Sequence, residues 1–111
     1  MTVKHPDDIV EALEVLARVG QAQMLRRGIV PLYASGVRYK RESPKEIWKP
    51  FLSTLRDGHG DCEDLVGWRV AELRLSGNPA YPAMYRTRNG YHAVVYRPDK
   101  GVEDPSEILG M

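Results

Sequence analysis

The stretch from Gly60 to Pro79, GDCEDLVGWRVAELRLSGNP, constrains the fold of this chain more than any other. Leu65, Val66, Trp68, Val70, Ala71, Leu73 and Leu75 crowd onto one helix, and Gly77-Asn78-Pro79 closes it. An apolar surface that broad belongs to a helix buried on most sides. The remaining segments therefore have to wrap it. The chain has 111 residues, the length of one ordinary domain, and we read 1–111 as a single domain. At that size about two-thirds of the unfolded surface is buried, so no metal or disulfide is needed as a staple. With one cysteine, Cys62, no intrachain disulfide exists and nothing asks for an oxidising compartment.

Around that helix the pattern predicts helices first and strands after. Pro6, with Asp7 and Asp8 beside it, reads as a helix start. Ile9, Val10, Leu13, Leu16 and Ala17 follow at helical spacing, Arg26 and Arg27 sit at the far end, and Gly28 reads as the stop. Gly20 invites a bend in the middle. The segment from Ile29 to Pro50 reads as irregular, pinned by Tyr33, Tyr39 and Trp48. Ser43-Pro44-Lys45-Glu46 has the form of a capping box opening a brief helix that Pro50 interrupts. Ala80–Thr87 and Tyr91–Arg97 read as strands joined by an Asn89-Gly90 hairpin. Pro82 marks the first of them as an edge or a strand start. After the turn at Pro98–Gly101, Val102-Glu103-Asp104 forms a short third strand. The expected class is α+β: N-terminal helices, then a cysteine-bearing central helix packed on a small antiparallel sheet.

Charge and hydropathy exclude several roles. Sixteen basic against fifteen acidic side chains give a net charge of +1, which is no electrostatic footprint for nucleic acid. No apolar run approaches a membrane span, and the N-terminus lacks a signal peptide's apolar core. A soluble, cytoplasmic protein with no membrane partner is the expectation.

The chemistry-bearing residues fall in a particular order. Cys62 opens the long helix behind Gly58 and Gly60. The unpaired N–H groups of a first turn and the helix dipole favour a thiolate there and can hold an oxyanion. Gly60 lets a substrate backbone approach closely. Asp61, Glu63 and Asp64 make the surroundings a polar, solvated turn. At least two of the three serve as caps, and an acidic rim at 57–64 favours a cationic or amine-bearing substrate. His92 lies on the central strand, where alternation puts His92, Val94 and Tyr96 on one face and Tyr91, Ala93 and Val95 on the other. Asp104 ends the next strand, within reach of the far nitrogen of His92, where it sets the tautomer. His59 is a rim or peptide-binding residue; His5 sits near a terminus that tends to fray.

Gly60-Asp61-Cys62, His92-Ala93 and Asp104-Pro105-Ser106 occur in that order, thirty and then twelve residues separating Cys62, His92 and Asp104. The order and wording resemble the transglutaminase-like branch of the papain-like cysteine enzymes. Together with LYASGVRY (Leu32–Tyr39) and GDCEDL (Gly60–Leu65), they resemble short members encoded by bacteriophages and prophages. The likeness covers Leu32 to the C-terminus. It departs where many members have Ala-Trp after the histidine, here Ala93-Val94, and a tryptophan before the final aspartate strand. Those departures leave the triad in place and fall on the substrate groove.

The resemblance implies a Cys62-His92-Asp104 triad acting on an amide: a peptidase or amidase with water as acceptor, a transamidase with an amine. The Cys62 N–H would hold the oxyanion together with Tyr39 or Trp48, Tyr39 being the preferred donor. His59, Gly60, Asp61 and Trp48 would line the substrate. The partner is then a peptide or protein amide, and no cofactor is implied. Two alternatives remain open at this point: a catalytically inactive phage structural or assembly protein that uses the fold as a scaffold for phage structural proteins, and a metal site from Cys62 and His92 with His59 or Asp61. No paired-ligand spacing backs the metal, so the expected metal set is none.

Overall fold

The structure is a computed structural model that describes residues 6–41, 48–88 and 90–111. The capping box at Ser43–Glu46, His5 and the hairpin residue Asn89 lie outside the described residues. Helix α1 (Pro6–Arg27) is continuous through Gly20, with Asp7 and Asp8 in its first turn and Arg26 and Arg27 in its last. No break occurs at Gly20, which serves packing: a Cβ there would lie 3.2 Å from the Cβ of Ala71 on the central helix. A single turn of 3-10 helix (Leu32–Ala34) and a two-residue strand β1 (Arg38–Tyr39) follow. Pro50 is the N-cap of α2 (Phe51–Asp57); the brief helix expected just before it falls outside the described residues. Gly58, at φ +80°, ends α2 in the left-handed conformation that glycine adopts without strain.

Strand β2 (His59–Gly60) pairs in parallel with β1, Arg38 opposite His59 and Tyr39 opposite Gly60. The long helix α3 (Cys62–Leu75) begins two residues after that pairing. Its flanks confirm the expected burial on most sides: from Cys62 to Leu73 every residue except Arg69 is buried. Strands β3 (Tyr81–Thr87), β4 (Gly90–Arg97) and β5 (Gly101–Glu103) form an antiparallel sheet in that order, so the Pro82-bearing strand is an edge and β4 is central. The third strand ends one residue early: Asp104 is the N-cap of the short α4 (Pro105–Ile108). The architecture is α+β, as the sequence predicts.

Two apolar groups hold these elements together. Ile9, Leu13 and Ala17 of α1 meet Cys62, Val66, Val70 and Leu73 of α3, and Ala93 and Val95 of β4 close that group from the sheet side. Met24, Leu32, Val37, Phe51, Leu65, Trp68 and Leu109 form the second. There Trp68 meets Phe51 edge-on at 4.8 Å and donates its indole N–H to the Val30 carbonyl at 2.8 Å. Helices α1 and α3 approach closely because glycine stands at the contact: a Cβ on Gly67 would sit 2.9 Å from Cγ of Leu16. For Gly67→Ala we expect a net loss of up to about 2 kcal/mol, the overpacking penalty of ~1–3 kcal/mol outweighing a helix-propensity gain of ~1 kcal/mol. Urea unfolding measures it, and a variant as stable as the wild type contradicts the close approach. Among the described residues, no helix is long and apolar enough to cross a membrane.

Candidate active site

The N-terminus of α3 is built from its own acids. Asp61 caps the helix, its Oδ1 accepting from the Cys62 N–H at 2.7 Å, and Asp64 Oδ2 accepts from the Asp61 N–H at 3.1 Å, so the two form a capping box. Asp64 Oδ1 also accepts from the Lys49 N–H at 2.7 Å, which ties the chain entering α2 to this turn. Two of the three acids are thus caps, as expected. The expectation of a solvated acidic rim fails, however: Asp61, Glu63 and Asp64 are 9%, 3% and 2% exposed. Of the acids between 57 and 64, Asp57 is the exposed one. Burial pushes the Asp64 carboxyl up to about 7, against the pull of the two N–H groups.

Cys62 is the first residue of the helix and is itself buried. Its S–H donates to Glu63 Oε2 at 3.2 Å, and Tyr91 O–H donates to Glu63 Oε1 at 2.9 Å. Burial first, then the Glu63 and Asp61 carboxylates, push the thiol well above its usual range; the N–H of Ala93 opposes them. The helix dipole therefore does not deliver a resting thiolate here, because desolvation and two adjacent carboxylates outweigh it. The sulfur lies against the peptide that joins His92 to Ala93, since that peptide's N–H is the one acting on it.

His92 is buried on the central strand, its ring tilted against Tyr85 at 5.3 Å. Nε2 lies 2.9 Å from Asp104 Oδ2 and 3.0 Å from Oδ1. This is the contact expected once β5 pairs beside β4, and it assigns the proton to Nε2, leaving Nδ1 as the nitrogen that can take another. Among the described residues no hydrogen bond joins Cys62 to His92. The structure thus pairs His92 with Asp104 and brings the sulfur to the His92–Ala93 peptide, while the thiol keeps its proton and donates it in a hydrogen bond to Glu63.

The remaining expected residues have mixed fates. Tyr39 is half-buried opposite Gly60. Burial, then Asp61 and Cys62, raise its phenol, so it remains an O–H donor close to the cysteine turn. Trp48 packs against the apolar group that contains Cys62. His59 sits in β2, its carbonyl accepting from Lys49 Nζ at 3.0 Å. Gly60 does not open a path for substrate: it is wedged where a Cβ would meet Asp64 Cβ and Thr54 Cγ2 at 3.0 Å. The Cys62 N–H, expected to hold an oxyanion, is engaged by Asp61.

Sequence reasoning missed Glu63 as the thiol's partner and Glu103 as a hub. Glu103 accepts from Arg69 Nε at 2.6 Å, from Arg97 Nη1 at 3.3 Å and from Tyr33 O–H. For Glu103 a signal existed: it opposes Val95 across β4 and β5, so it faces α3. The ligand-type atoms that converge within 4.8 Å among the described residues are those of Asp61, Cys62 and Glu63, without His92 or His59. They are already committed to the hydrogen bonds above.

Fold and site together define a small α+β protein with a buried cysteine at a helix start and a buried histidine paired with a half-buried aspartate. Compared with known proteins, the chain matches no family model, no curated protein and no solved structure.

Proposed function

We propose that this chain is a cysteine-dependent amide acyl-transfer enzyme, a peptidase, amidase or transamidase of the transglutaminase-like type. The observation that carries the reading is the oriented imidazole: Nε2 held by Asp104, with the Cys62 sulfur against the next peptide of the same strand. The sequence resemblance, Gly60-Asp61-Cys62 with His92-Ala93 and Asp104-Pro105-Ser106, supports it.

The chemistry follows a general-base course because the resting thiol is neutral. His92 Nδ1 takes the proton from Sγ as the sulfur attacks the amide carbonyl, and Asp104 stabilises the imidazolium. Tyr39 supplies an O–H to the oxyanion; the Cys62 N–H joins it only by leaving Asp61. His92 returns the proton to the departing amine, which leaves a thioester on Cys62. Water or an amine then attacks the thioester, loses its proton to His92 and releases the product as that proton returns to sulfur. The substrate is a peptide or protein amide. On this reading the protein acts in the host cell or on the virion.

Iodoacetamide tests this. It should alkylate Cys62, leave Cys62→Ser unlabelled, and react at least about tenfold more slowly with His92→Ala at neutral pH, since the general base is lost. A rate unchanged in His92→Ala removes the couple and with it the enzyme.

One observation favours the second reading, a phage structural or assembly scaffold. The thiol is buried and bound to Glu63, and its N–H is bound to Asp61, so both reactive functions are engaged. On that reading Cys62→Ala supports phage assembly like the wild type, and the protein co-elutes with a head or tail protein in size-exclusion chromatography.

A further inference from the structure

Strand β5 is three residues long and its first two, Gly101 and Val102, are exposed. So short a ladder fixes register weakly, yet a slip of one residue would turn Asp104 away from His92 and put Glu103 in its place. What holds the register is on the other face. Val95 opposes Glu103 and Arg97 opposes Gly101, so Glu103 and Arg97 share the face that packs on α3, while the next residue along, Asp104, reaches His92.

We infer that Glu103 is a positioning residue: its half-buried carboxylate, held by Arg69, Arg97 and Tyr33, pins β5 in register and so delivers Asp104 to Nε2 of His92. The role in catalysis rests on the triad reading above; the positioning of the pair does not.

The donors come from three elements. Arg69 of α3 gives Nε at 2.6 Å and Nη2 at 3.3 Å, a two-pronged grip on both carboxylate oxygens. Arg97 of β4 gives Nη1 at 3.3 Å, and Tyr33 of the 3-10 turn gives its hydroxyl. Arg69 is itself fixed. Its Nη1 reaches Glu72 Oε2 at 3.1 Å, Glu72 Oε1 accepts from the Leu32 N–H at 2.9 Å, and the guanidinium lies 4.6 Å over the Tyr33 ring. The clamp thus joins the helix that carries Cys62, the strand that carries His92 and the strand that precedes Asp104. The arginines and the tyrosine hold the Glu103 carboxyl below its usual value despite its burial, so the clamp stays charged at neutral pH.

The reading is the proton on Nε2. In protein labelled with nitrogen-15 histidine it should give a downfield N–H signal, protected from exchange with water and missing from His92→Gln. Glu103→Gln keeps the side chain's shape and weakens the grip. We expect its circular dichroism to be unchanged and the Nε2 proton to exchange about tenfold faster, the worth of one charge-assisted hydrogen bond. If Glu103→Gln does not fold, Tyr33→Phe and Arg97→Gln each remove one donor and should each speed exchange severalfold. Exchange at the wild-type rate in the variants that fold, or a wild-type protein without a protected Nε2 proton, overturns the inference. The iodoacetamide experiment fails or succeeds independently, because it reads the Cys62–His92 couple and not the proton that Nε2 shares with Asp104.

Discussion

Glu63→Gln raises the fraction of Cys62 present as thiolate at a given pH by about a hundredfold, the equivalent of ~2.7 kcal/mol. Two changes act in the same direction. The carboxylate that accepts the S–H and repels a negative sulfur is removed. The amide that replaces it keeps an oxygen for the Tyr91 hydroxyl and can turn an N–H donor toward the sulfur. Burial, the larger of the causes that raise the thiol, is untouched, so ionisation stays uphill even in the variant. Ultraviolet titration of the thiolate reads the effect directly. The gain in alkylation rate is smaller, about tenfold, since a less basic thiolate is a weaker nucleophile. An unchanged thiolate fraction would mean that Glu63 does not accept the thiol's hydrogen bond as a carboxylate, and the resting state would be wrong.

What the sequence made legible follows from where its signals are local. The central helix declares itself because Leu65, Val66, Trp68, Val70, Ala71 and Leu73 carry its periodicity and Gly77-Asn78-Pro79 its end. The meander declares itself through alternation about His92, and the strand order makes the His92–Asp104 contact legible once β5 pairs beside β4. Other features depend on partners far away in sequence. Strands β1 and β2 are two residues each, too short for any period, and exist because residues 38–39 and 59–60 meet in space. Four polar residues in Asp61-Cys62-Glu63-Asp64 read as solvated, since acids are mostly exposed. Here they are buried because α1, β4 and the chain near Lys49 close over the turn and supply N–H and O–H donors. Gly20 reads as a weak point in its helix, whereas the apposed Ala71 shows it to be a site of close packing.

The candidate site shows the same division. Its residue types were readable, but its resting chemistry was not. A helix start favours a thiolate by an amount typically below 1 kcal/mol at an exposed position, and desolvation of a buried thiol easily exceeds that. Which effect wins depends on burial, which belongs to the tertiary structure. The consequence bears on function: if the protein turns over substrate, binding has to displace the Glu63 contact or His92 has to compete with it for the thiol proton. A preformed ion pair of the thiolate–imidazolium kind does not describe the resting state.

Stability falls as pH rises from about 4 to about 7 through Asp64, a change on the order of 4 kcal/mol. The folded carboxyl ionises near 7 because it is buried, whereas the unfolded chain ionises at the ordinary value of 3.8. Between those values the native state binds the extra proton, and linkage then requires stability to decline with rising pH across that window. Glu14 and Glu103 work in the opposite sense. Arg74, and Arg69 with Tyr33, hold them below the usual carboxylate range, so the stability they contribute is lost as pH falls through their folded values. The two tendencies place the maximum in mildly acidic solution. Asp64→Asn separates them. The variant loses one acceptor of the capping box, which costs about 1–3 kcal/mol where wild-type Asp64 is protonated. Its stability should then be nearly level from pH 4.5 to 7.5 and meet or pass the wild type above pH 7. Urea midpoints at four pH values across that range decide it, and a wild-type protein that grows more stable from pH 5 to 7 contradicts a buried, proton-holding Asp64.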